Sequence, residues 1–392
     1  MTAELVAPDA LQHHPLAAQL PGEEHELVQV VRGRRSGLAI TVAIHSTALG
    51  PAAGGCRIAH YAESGAAVTD ALRLSTAMTE KNALAGLAHG GGKTVVALPA
   101  APGTRGSGTP GSGSTGSGST GTQPAGPSLT GEERTALLHD VGDAVEALGG
   151  RYITGPDVGS SPADMTAIGT RTAHVCCRPV EDGGSGDSSL HTARGTLVAL
   201  AAVAEEAFGS PELSGRTFGV IGLGSVGGHV ARLLREAGAR LVVTDVRPEA
   251  RRLAEELGAS WVEPDAALTA EVDVLVPAAL GGLLTARTVP QLRCAAVAGP
   301  ANNQLDEPGT GQLLAEQGVL WAPDVVVSAG GVIHATGVEL RRESAERLAE
   351  RIDGIGATLR EVFRTARADR TTPAVAASRI AAQRVRTGLV TP

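Results

Sequence analysis

Lysine is almost missing from this chain. Its 33 basic residues comprise two lysines, Lys81 and Lys93, and 31 arginines. An arginine stays protonated at any working pH, whereas a lysine can lose its proton when it is desolvated or placed beside another cation. Two lysines in a chain that otherwise uses arginine therefore predict a task that arginine cannot perform.

Aromatic residues make up only 2 % of the chain, so we expect hydrophobic cores of alanine, valine and leucine. Cysteine is scarce as well. The spacings among Cys56, Cys176, Cys177 and Cys294 are not those of a metal site, and adjacent cysteines are poor disulfide partners. We therefore expect reduced thiols, a cytoplasmic protein and no bound metal ion.

The sequence also lacks an apolar run long enough to cross a membrane, and its polar, acidic N-terminus does not have the pattern of a signal peptide. Its net charge of −8 gives no indication of a nucleic-acid partner. With 392 residues, 42 % of them hydrophobic, the chain is long enough for two domains with separate cores.

Both lysines lie in one stretch, 78–93. Apolar residues recur at helical spacing over 64–85, which predicts a helix with a buried stripe, and Gly86 is a plausible end to it. Lys81 continues the apolar stripe. Its ammonium group should therefore face the interior, where it needs an anionic partner.

Three glycines, 90–92, come immediately before Lys93 and allow the backbone to approach another group closely. The string Gly-Lys-Thr suggests a phosphate-binding P-loop, but that motif needs a glycine where Leu87 stands. A P-loop lysine also opens a helix, whereas the apolar run 94–98 predicts a buried strand. We reject the P-loop interpretation.

The N-terminal half begins with a ragged segment, 1–22. Two β-rich runs, 26–31 and 38–45, then predict a strand pair. Residues 50–57 have almost no side-chain bulk and predict a loop, which either turns tightly or lets a ligand reach the main chain. The Gly-, Ser-, Thr- and Pro-rich segment 101–131 predicts a flexible insertion.

A helix over 132–148 is followed by a strand that ends at Asp157 on a tight turn. This position is typical of a catalytic carboxylate, although many aspartates there only cap a helix or form the turn. A second flexible patch, 181–189, indicates the crossing between domains. A helix over 192–208 follows.

The next stretch combines a strand over 216–221 with the pattern G-x-G-x-x-G at Gly222, Gly224 and Gly227. A helix over 228–237 and a second strand that ends at Asp245 complete a dinucleotide-binding unit. The glycines admit the pyrophosphate, the helix N-terminus binds it and the aspartate takes the ribose hydroxyls. An acid at that position disfavours a 2′-phosphate, so NAD is expected rather than NADP.

Three more runs, 272–277, 295–298 and 325–327, predict strands that end in small or amide residues. Helices over 339–368 and 373–386 close the chain. We therefore predict an α/β protein of two domains, an N-terminal α/β domain and a doubly wound Rossmann NAD-binding domain.

Several long strings resemble the leucine/valine/phenylalanine branch of the glutamate dehydrogenase superfamily, and the resemblance runs from about residue 24 to 384 apart from the flexible insertions. They are HSTALGPAAGGCR (45–57), MTEKNALAGLAHGGGK (78–93), YITGPDVG (152–159), GLGSVGG (222–228), AGPANNQL (298–305) and APDVVVSAGGVI (322–333). The resemblance implies reversible NAD-dependent oxidative deamination of a hydrophobic L-amino acid to the 2-oxo acid and ammonia.

The family's site residues carry over to matching positions. Lys81 is implied to bind the substrate carboxylate, Lys93 to act as the general base that activates water, and Asp157 to exchange protons with the amino group. Main-chain groups at Gly54 and Gly55 are implied to lie beside the substrate. The implied cofactor-binding residues are Thr192, Gly222, Gly224, Ser225, Val226, Gly227, Asp245, Ala278, Asn302 and Asn303, with Asn302 shared with the substrate.

The resemblance also implies the domain limits. Residues 1–178, with 372–392 returning to them, would form the substrate domain, and 179–371 the cofactor domain. Closure of the cleft would bring the nicotinamide to the substrate, and the protein would be a homo-oligomer.

The side-chain pocket is implied to comprise Ala53, Gly155, Val332 and Ala335. Three of these four are smaller than in leucine-type relatives and none is larger, which predicts that phenylalanine or a longer aliphatic substrate is preferred to valine.

Two alternatives stay open: a catalytically inactive NAD-binding sensor or regulatory homologue, and a glutamate-type dehydrogenase. Ser328 stands where the family usually has asparagine, which affects how the nicotinamide is positioned.

Overall fold

The computed structural model describes residues 25–61, 64–99, 129–279 and 281–388. The predicted N-terminal segment 1–22 and nearly all of the predicted insertion 101–131 lie outside these residues. At its far end, Gly131 already belongs to a helix.

The first sheet has five strands in the order β1-β2-β4-β3-β5. The strands are β1 (Leu27–Arg32), β2 (Ala39–Ser46), β3 (Ala52–His60), β4 (Gly90–Leu98) and β5 (Tyr152–Pro156). The predicted strand pair is confirmed, because β1 and β2 are antiparallel neighbours. β3 lies between β4 and β5 and is parallel to both. The strand that carries Lys93 and the strand that leads to Asp157 therefore flank the same central strand.

Helices cover both faces of this sheet. The predicted lysine-bearing helix is confirmed as α1 (Ser64–Leu84), which packs on one face with a small-residue seam. On the other face lie α2 (Gly131–Glu146) and α3 (Pro162–Gly169). Capping boxes at Thr130 and Ser161 fix where these two helices begin, since each side chain accepts a hydrogen bond from the backbone three residues on.

The prediction of a loop over 50–57 is wrong, because β3 starts at Ala52 and runs through both glycines. The low side-chain bulk serves a different purpose from a turn. A Cβ on Gly54 would lie 1.8 Å from the carbonyl oxygen of Gly92 on the neighbouring strand. On β4, a Cβ on Gly91 would lie 2.1 Å from the backbone nitrogen of Thr79 in α1. The glycines let the two strands and the helix approach one another more closely than side chains permit.

The second sheet is entirely parallel, with six strands in the order β11-β10-β9-β6-β7-β8. The strands are β6 (Thr217–Ile221), β7 (Arg240–Thr244), β8 (Ser260–Trp261), β9 (Val274–Pro277), β10 (Ala296–Val297) and β11 (Leu320–Trp321). The helices from α4 onwards are α4 (Ser189–Phe208), α5 (Ser225–Glu236), α6 (Arg251–Glu256), α7 (Thr310–Glu316), α8 (Asp324–Val327), α9 (Gly330–Ala335), α10 (Ala345–Asp369) and α11 (Pro373–Thr387). This arrangement confirms the α/β, doubly wound class.

Two predictions for this half are wrong. Residues 325–327 belong to the short helix α8 rather than a strand, because Pro323 and Asp324 start a helical turn and a short buried apolar run has no period to distinguish the two. The predicted flexible patch 181–189 is instead ordered by hydrogen bonds. The carboxylate of Glu339 accepts bonds from the Ser185 backbone and hydroxyl at 2.8 and 2.7 Å.

Helix boundaries also differ at two places. The helix after the glycine pattern begins at Ser225 rather than 228, so its N-terminus lies directly at the last glycines. The predicted helix 339–368 is a π-helical turn, Thr336–Arg341, followed by α10, with the chain reversing at Arg342.

The last helix, α11, packs against α1, and the Arg384 guanidinium donates to the carbonyl oxygens of Ala83 and Leu84 at 3.2 and 2.8 Å. These bonds satisfy carbonyls at the end of the lysine-bearing helix. The domain limits at 178 and 372 stay a prediction.

Gly91→Ala should destabilise the protein by about 2 kcal/mol or more, because the added methyl group meets backbone atoms of α1 that cannot move independently. Gly131→Ala is the matched control, since its Cβ would meet no atom within 4 Å. Denaturant unfolding of both variants measures the difference. Equal free energies of unfolding for Gly91→Ala and the wild type would show that α1 is not held against β4 by this contact.

Candidate active site

Lys93 and Asp157 form a buried ion pair. The Lys93 Nζ lies 2.7 Å from the Asp157 Oδ2, and the two side chains are 6 % and 19 % exposed. Lys93 comes from β4 and Asp157 follows β5, with β3 between them. The pair spans this central strand because Gly55 has no side chain there. A Cβ on Gly55 would lie 2.7 Å from the Asp157 Cβ and 3.2 Å from the Lys93 Nζ.

Arg57 and Asp70 extend this pair into a chain of charges. The Arg57 Nε lies 3.1 Å from the Asp157 carboxylate, and its Nη1 lies 2.9 Å from the Asp70 carboxylate. The Tyr61 hydroxyl donates to the same Asp70 oxygen at 2.7 Å. Burial opposes ionisation of Asp157, but the Lys93 ammonium and the Arg57 guanidinium outweigh it and hold the pKa of the carboxyl group below its ordinary value.

Lys81 lies in the last turn of α1 and reaches across to the second half of the chain. Its Nζ donates to the Asn302 Oδ1 at 2.6 Å. Burial lowers the pKa of Lys81 to about 8, with Lys93 contributing in the same direction and Asp324 and Asp157 opposing it. Among the described residues, no ionised side chain contacts this ammonium directly. It is therefore available to bind an anion.

Asp324, at the start of α8, organises the loop that presents Asn302. Its buried carboxylate accepts the backbone N–H of Asn303, and burial raises the pKa of this carboxyl group. Asn303 has a φ of 53°, a left-handed conformation that asparagine tolerates better than most residues. Ser328, at the other end of α8, donates to the Asp324 carbonyl at 2.5 Å and to the Asn302 Oδ1 at 3.4 Å.

The glycine pattern has the geometry that a dinucleotide needs. Gly222 has a φ of 100°, and a Cβ on Gly227 would lie 2.0 Å from the Gly222 carbonyl oxygen and 3.0 Å from the Ala278 methyl group. The first turn of α5, beginning at Ser225 and Val226, therefore packs tightly against the end of β6, and no side chain caps its N-terminus.

Asp245 directly follows β7, and its carboxylate accepts the Leu223 N–H at 2.7 Å and pairs with Arg247 at 3.1 Å. Burial opposes ionisation, but these hydrogen bonds lower the pKa of the carboxyl group. Asp245 is thus held as an anion beside the glycine turn. Together with the close-packed glycines, it fits a dinucleotide whose ribose carries free hydroxyl groups.

Thr192 lies in the first turn of α4, where its hydroxyl donates to the Ser188 carbonyl at 3.1 Å. A Cβ on Gly331 would lie 2.7 Å from this hydroxyl, so α4 and α9 meet at Thr192. Val332 and Ala335 follow on α9, three residues apart and therefore on one face. Ala53 is buried on β3, and its carbonyl oxygen accepts the Asn82 amide at 3.3 Å.

Sequence reasoning missed Arg57, Asp70 and Asp324. Arg57 and Asp324 stand within two of the strings that define the resemblance. Arg57 is two residues after the glycine pair, and Asp324 directly precedes the three valines. A charged residue at each position was a usable signal. Asp70 gave no such signal, because its role depends on the packing of α1 against β3.

No helix in the described part of the chain is long and apolar enough to span a bilayer. Within residues 25–61, 64–99, 129–279 and 281–388, there is also no cluster of three or more histidine, cysteine or acidic side chains arranged to hold a metal ion.

Comparison with known proteins places these features in one family. Residues 26–104 match the profile of the Glu/Leu/Phe/Val dehydrogenase dimerisation domain, and residues 243–388 match that of Glutamate/Leucine/Phenylalanine/Valine dehydrogenase. Residues 189–286 match an NAD-binding domain profile described for D-isomer specific 2-hydroxyacid dehydrogenases.

Full-length relatives agree. The chain is 39 % identical to a leucine dehydrogenase of Geobacillus stearothermophilus, over 93 % of this chain and 91 % of the relative. It is 41 % identical to a valine dehydrogenase of Streptomyces albus, over 92 % of each. The crystal structure of L-tryptophan dehydrogenase from Nostoc punctiforme superposes with a TM-score of 0.74 at 33 % identity, covering 93 % of this chain and 97 % of that one.

Lys81 should titrate near pH 8, since burial lowers its pKa to about 8. Because the chain has only two lysines, reductive methylation with ¹³C-formaldehyde gives two lysine resonances that can be followed by NMR. Lys81→Arg identifies the Lys81 signal by its loss. A Lys81 signal that titrates at the ordinary value of about 10.4 would contradict the buried environment described for this side chain.

Proposed function

The chain belongs to the Glu/Leu/Phe/Val dehydrogenase family, and we propose that it oxidises a bulky hydrophobic L-amino acid, with Lys93 and Asp157 handling the protons. The reaction of this enzyme is NAD-dependent oxidative deamination of a hydrophobic amino acid to the 2-oxo acid and ammonia. The observation that carries the assignment of roles is the buried Lys93–Asp157 pair, with Lys81 as a second cation nearby.

Lys81 binds the substrate carboxylate in this proposal. Its ammonium is half-buried and contacts only the neutral Asn302 amide among the contacts described above, so an incoming carboxylate supplies the missing negative charge. That charge favours the protonated lysine and offsets the burial that lowers its pKa. Asn302 then lies between the carboxylate site and the crevice of the second sheet, where it can contact substrate or cofactor.

Gly222, Gly224 and Gly227 would hold the NAD pyrophosphate at the start of α5, and Asp245 the ribose hydroxyls. Thr192, Ala278 and Asn303 would border the cofactor. NAD held by these residues would supply the acceptor for the hydride that leaves the substrate Cα.

Lys93 then acts as a base towards water, and Asp157 exchanges protons with the nitrogen of the substrate. Once its ammonium has released a proton, Lys93 accepts a proton from the water that attacks the carbon of the imine formed by hydride loss, and Asp157 carries protons to and from the amino group until ammonia leaves. Their 2.7 Å contact allows a proton to pass between them. Arg57 is a positioning residue, because its Nε contacts the same Asp157 oxygen as Lys93 and its guanidinium is itself held by Asp70.

The side-chain pocket is proposed to comprise Ala53, Gly155, Val332 and Ala335. Small residues at these positions leave room for a large substrate side chain. A small substrate leaves part of that room empty, and each methylene of unfilled space costs roughly 1 kcal/mol of binding free energy. The structural relative from Nostoc punctiforme is named as a tryptophan dehydrogenase, which supports a bulky substrate.

Neither alternative is favoured. An inactive sensor does not need the Lys93–Asp157 pair, and the relatives at about 40 % identity are named as leucine and valine dehydrogenases rather than glutamate dehydrogenases. We also propose a homo-oligomer, since residues 26–104 match a dimerisation domain. Four free thiols support a cytoplasmic location.

The substrate spectrum tests the proposal. In the presence of NAD, L-phenylalanine or a longer aliphatic amino acid should give a higher kcat/KM than L-valine. The expected difference is roughly tenfold if valine leaves the volume of one to two methylenes unfilled. NADH absorbance measures both rates. Ala53→Leu should move the preference towards branched aliphatic substrates.

A clear preference of the wild type for valine would overturn the size argument while leaving the reaction intact. Absence of NADH formation with every hydrophobic amino acid, in protein shown to be folded, would overturn the proposal itself. No change in preference in Ala53→Leu would remove Ala53 from the pocket.

A further inference from the structure

Two neighbouring cysteines have an arrangement that the proposed reaction does not use. The Sγ atoms of Cys176 and Cys177 lie 3.8 Å apart, although successive side chains of an extended segment point to opposite sides. Cys176 lies beside β5, where its N–H donates to the carbonyl oxygen of Thr154 at 2.8 Å. Cys177 has a φ of 63°, which turns the chain and brings both sulfurs to the same side.

This left-handed conformation is held in place from the second half of the chain. The Cys177 N–H donates to the Glu339 carboxylate at 2.5 Å, and that carboxylate also accepts the Ser185 N–H at 2.8 Å. The Glu339 side chain is only 5 % exposed. A non-glycine residue with positive φ is uncommon, and here a buried carboxylate stabilises it.

Both sulfurs lie against Gly155. A Cβ on this glycine would be 3.3 Å from the Cys176 Sγ and 3.7 Å from the Cys177 Sγ. Gly155 lies on β5, two residues before Asp157, which follows that strand. The two thiols therefore border the strand that leads to the Asp157 carboxylate. The missing side chain of Gly155 leaves room for a group attached to both sulfurs.

We propose that Cys176 and Cys177 form a dithiol site for a soft electrophile that takes two sulfur ligands, a monosubstituted trivalent arsenical. Thiol sulfur is the soft ligand that such an element prefers. A metal ion such as zinc needs three or four protein ligands, and the described residues offer no cluster of three or more histidine, cysteine or acidic side chains. Two sulfurs already close together are sufficient for the arsenical.

The reaction needs no oxidant. In R–As(OH)₂, two As–O bonds break and two As–S bonds form, and the two thiol protons leave with the hydroxyl groups as two molecules of water. Arsenic stays trivalent. Cys177 reacts first, because it is the more exposed thiol and because the hydrogen bond that the Cys176 thiol shares with Cys177, together with burial, raises the pKa of Cys176. Cys176 then closes the ring.

The other two cysteines supply controls. Cys56 is fully buried, and burial raises the pKa of its thiol to about 12, so it should not react. Cys294 is partly exposed and packs against a hydrophobic cluster beside the second sheet, with no second thiol among the contacts described for it. A single thiol forms only an adduct that a monothiol displaces.

Phenylarsine oxide is the probe, and intact-protein mass after washing with 2-mercaptoethanol is the measurement. The wild type and Cys294→Ser should each retain one arsenical per chain, released by 2,3-dimercaptopropanol. Cys176→Ser and Cys177→Ser should retain none. Cys177→Gly guards against misfolding, since glycine accepts the positive φ, and it should be folded and also retain none.

Retention by Cys177→Gly, or loss of retention in Cys294→Ser, would overturn the proposal. A further consequence depends on the proposed function: the bound arsenical should fill the space beside Gly155 and inhibit turnover, and a saturating amino acid should slow its binding. Mass measurement does not depend on turnover, so an inactive enzyme that still binds the arsenical would count against the proposed function alone.

Discussion

The buried ion pair between Lys93 and Asp157 is the interaction on which the site depends. Two charged groups 2.7 Å apart and mostly shielded from water are stable only if their remaining bonding capacity is met. Arg57 and Asp70 meet it on one side. On the sheet itself, Gly55 must lack a side chain for the pair to form, and Gly54 and Gly91 must lack one for β3, β4 and α1 to come close enough. The glycine-rich strings of this sequence are therefore packing requirements of a charged site.

Contacts between the two halves of the chain supply the rest of the site. Lys81 on α1 reaches Asn302 at the edge of the second sheet, and Arg384 on α11 fixes the end of α1 by two carbonyl groups. Glu339 binds the segment that carries Cys177. The two halves of the chain are thus joined around Lys81 and Cys177 by a few polar contacts.

Much of this could be predicted from the sequence, because lysines, an aspartate on a turn and a glycine fingerprint have chemical requirements that a single sequence displays. Most strands of the two sheets, the helix that carries Lys81 and the glycine pattern of the dinucleotide site followed from periodicity and spacing. Residues 50–57 and 325–327 did not. Glycines look like a turn until the neighbouring strand is known, and three valines carry no period. The Arg57–Asp70 support and the paired sulfurs depend on contacts distant in sequence.

Replacement of Lys93 by arginine tests most directly whether this side chain moves a proton. Arginine keeps the positive charge beside Asp157 but cannot accept a proton at neutral pH. The account predicts that kcat for a hydrophobic L-amino acid falls by at least about 10²-fold in Lys93→Arg, while NADH binding and the free energy of unfolding stay close to those of the wild type. Turnover above about one per cent of the wild type at pH 8 would contradict it, because a fixed charge at this position would then be sufficient.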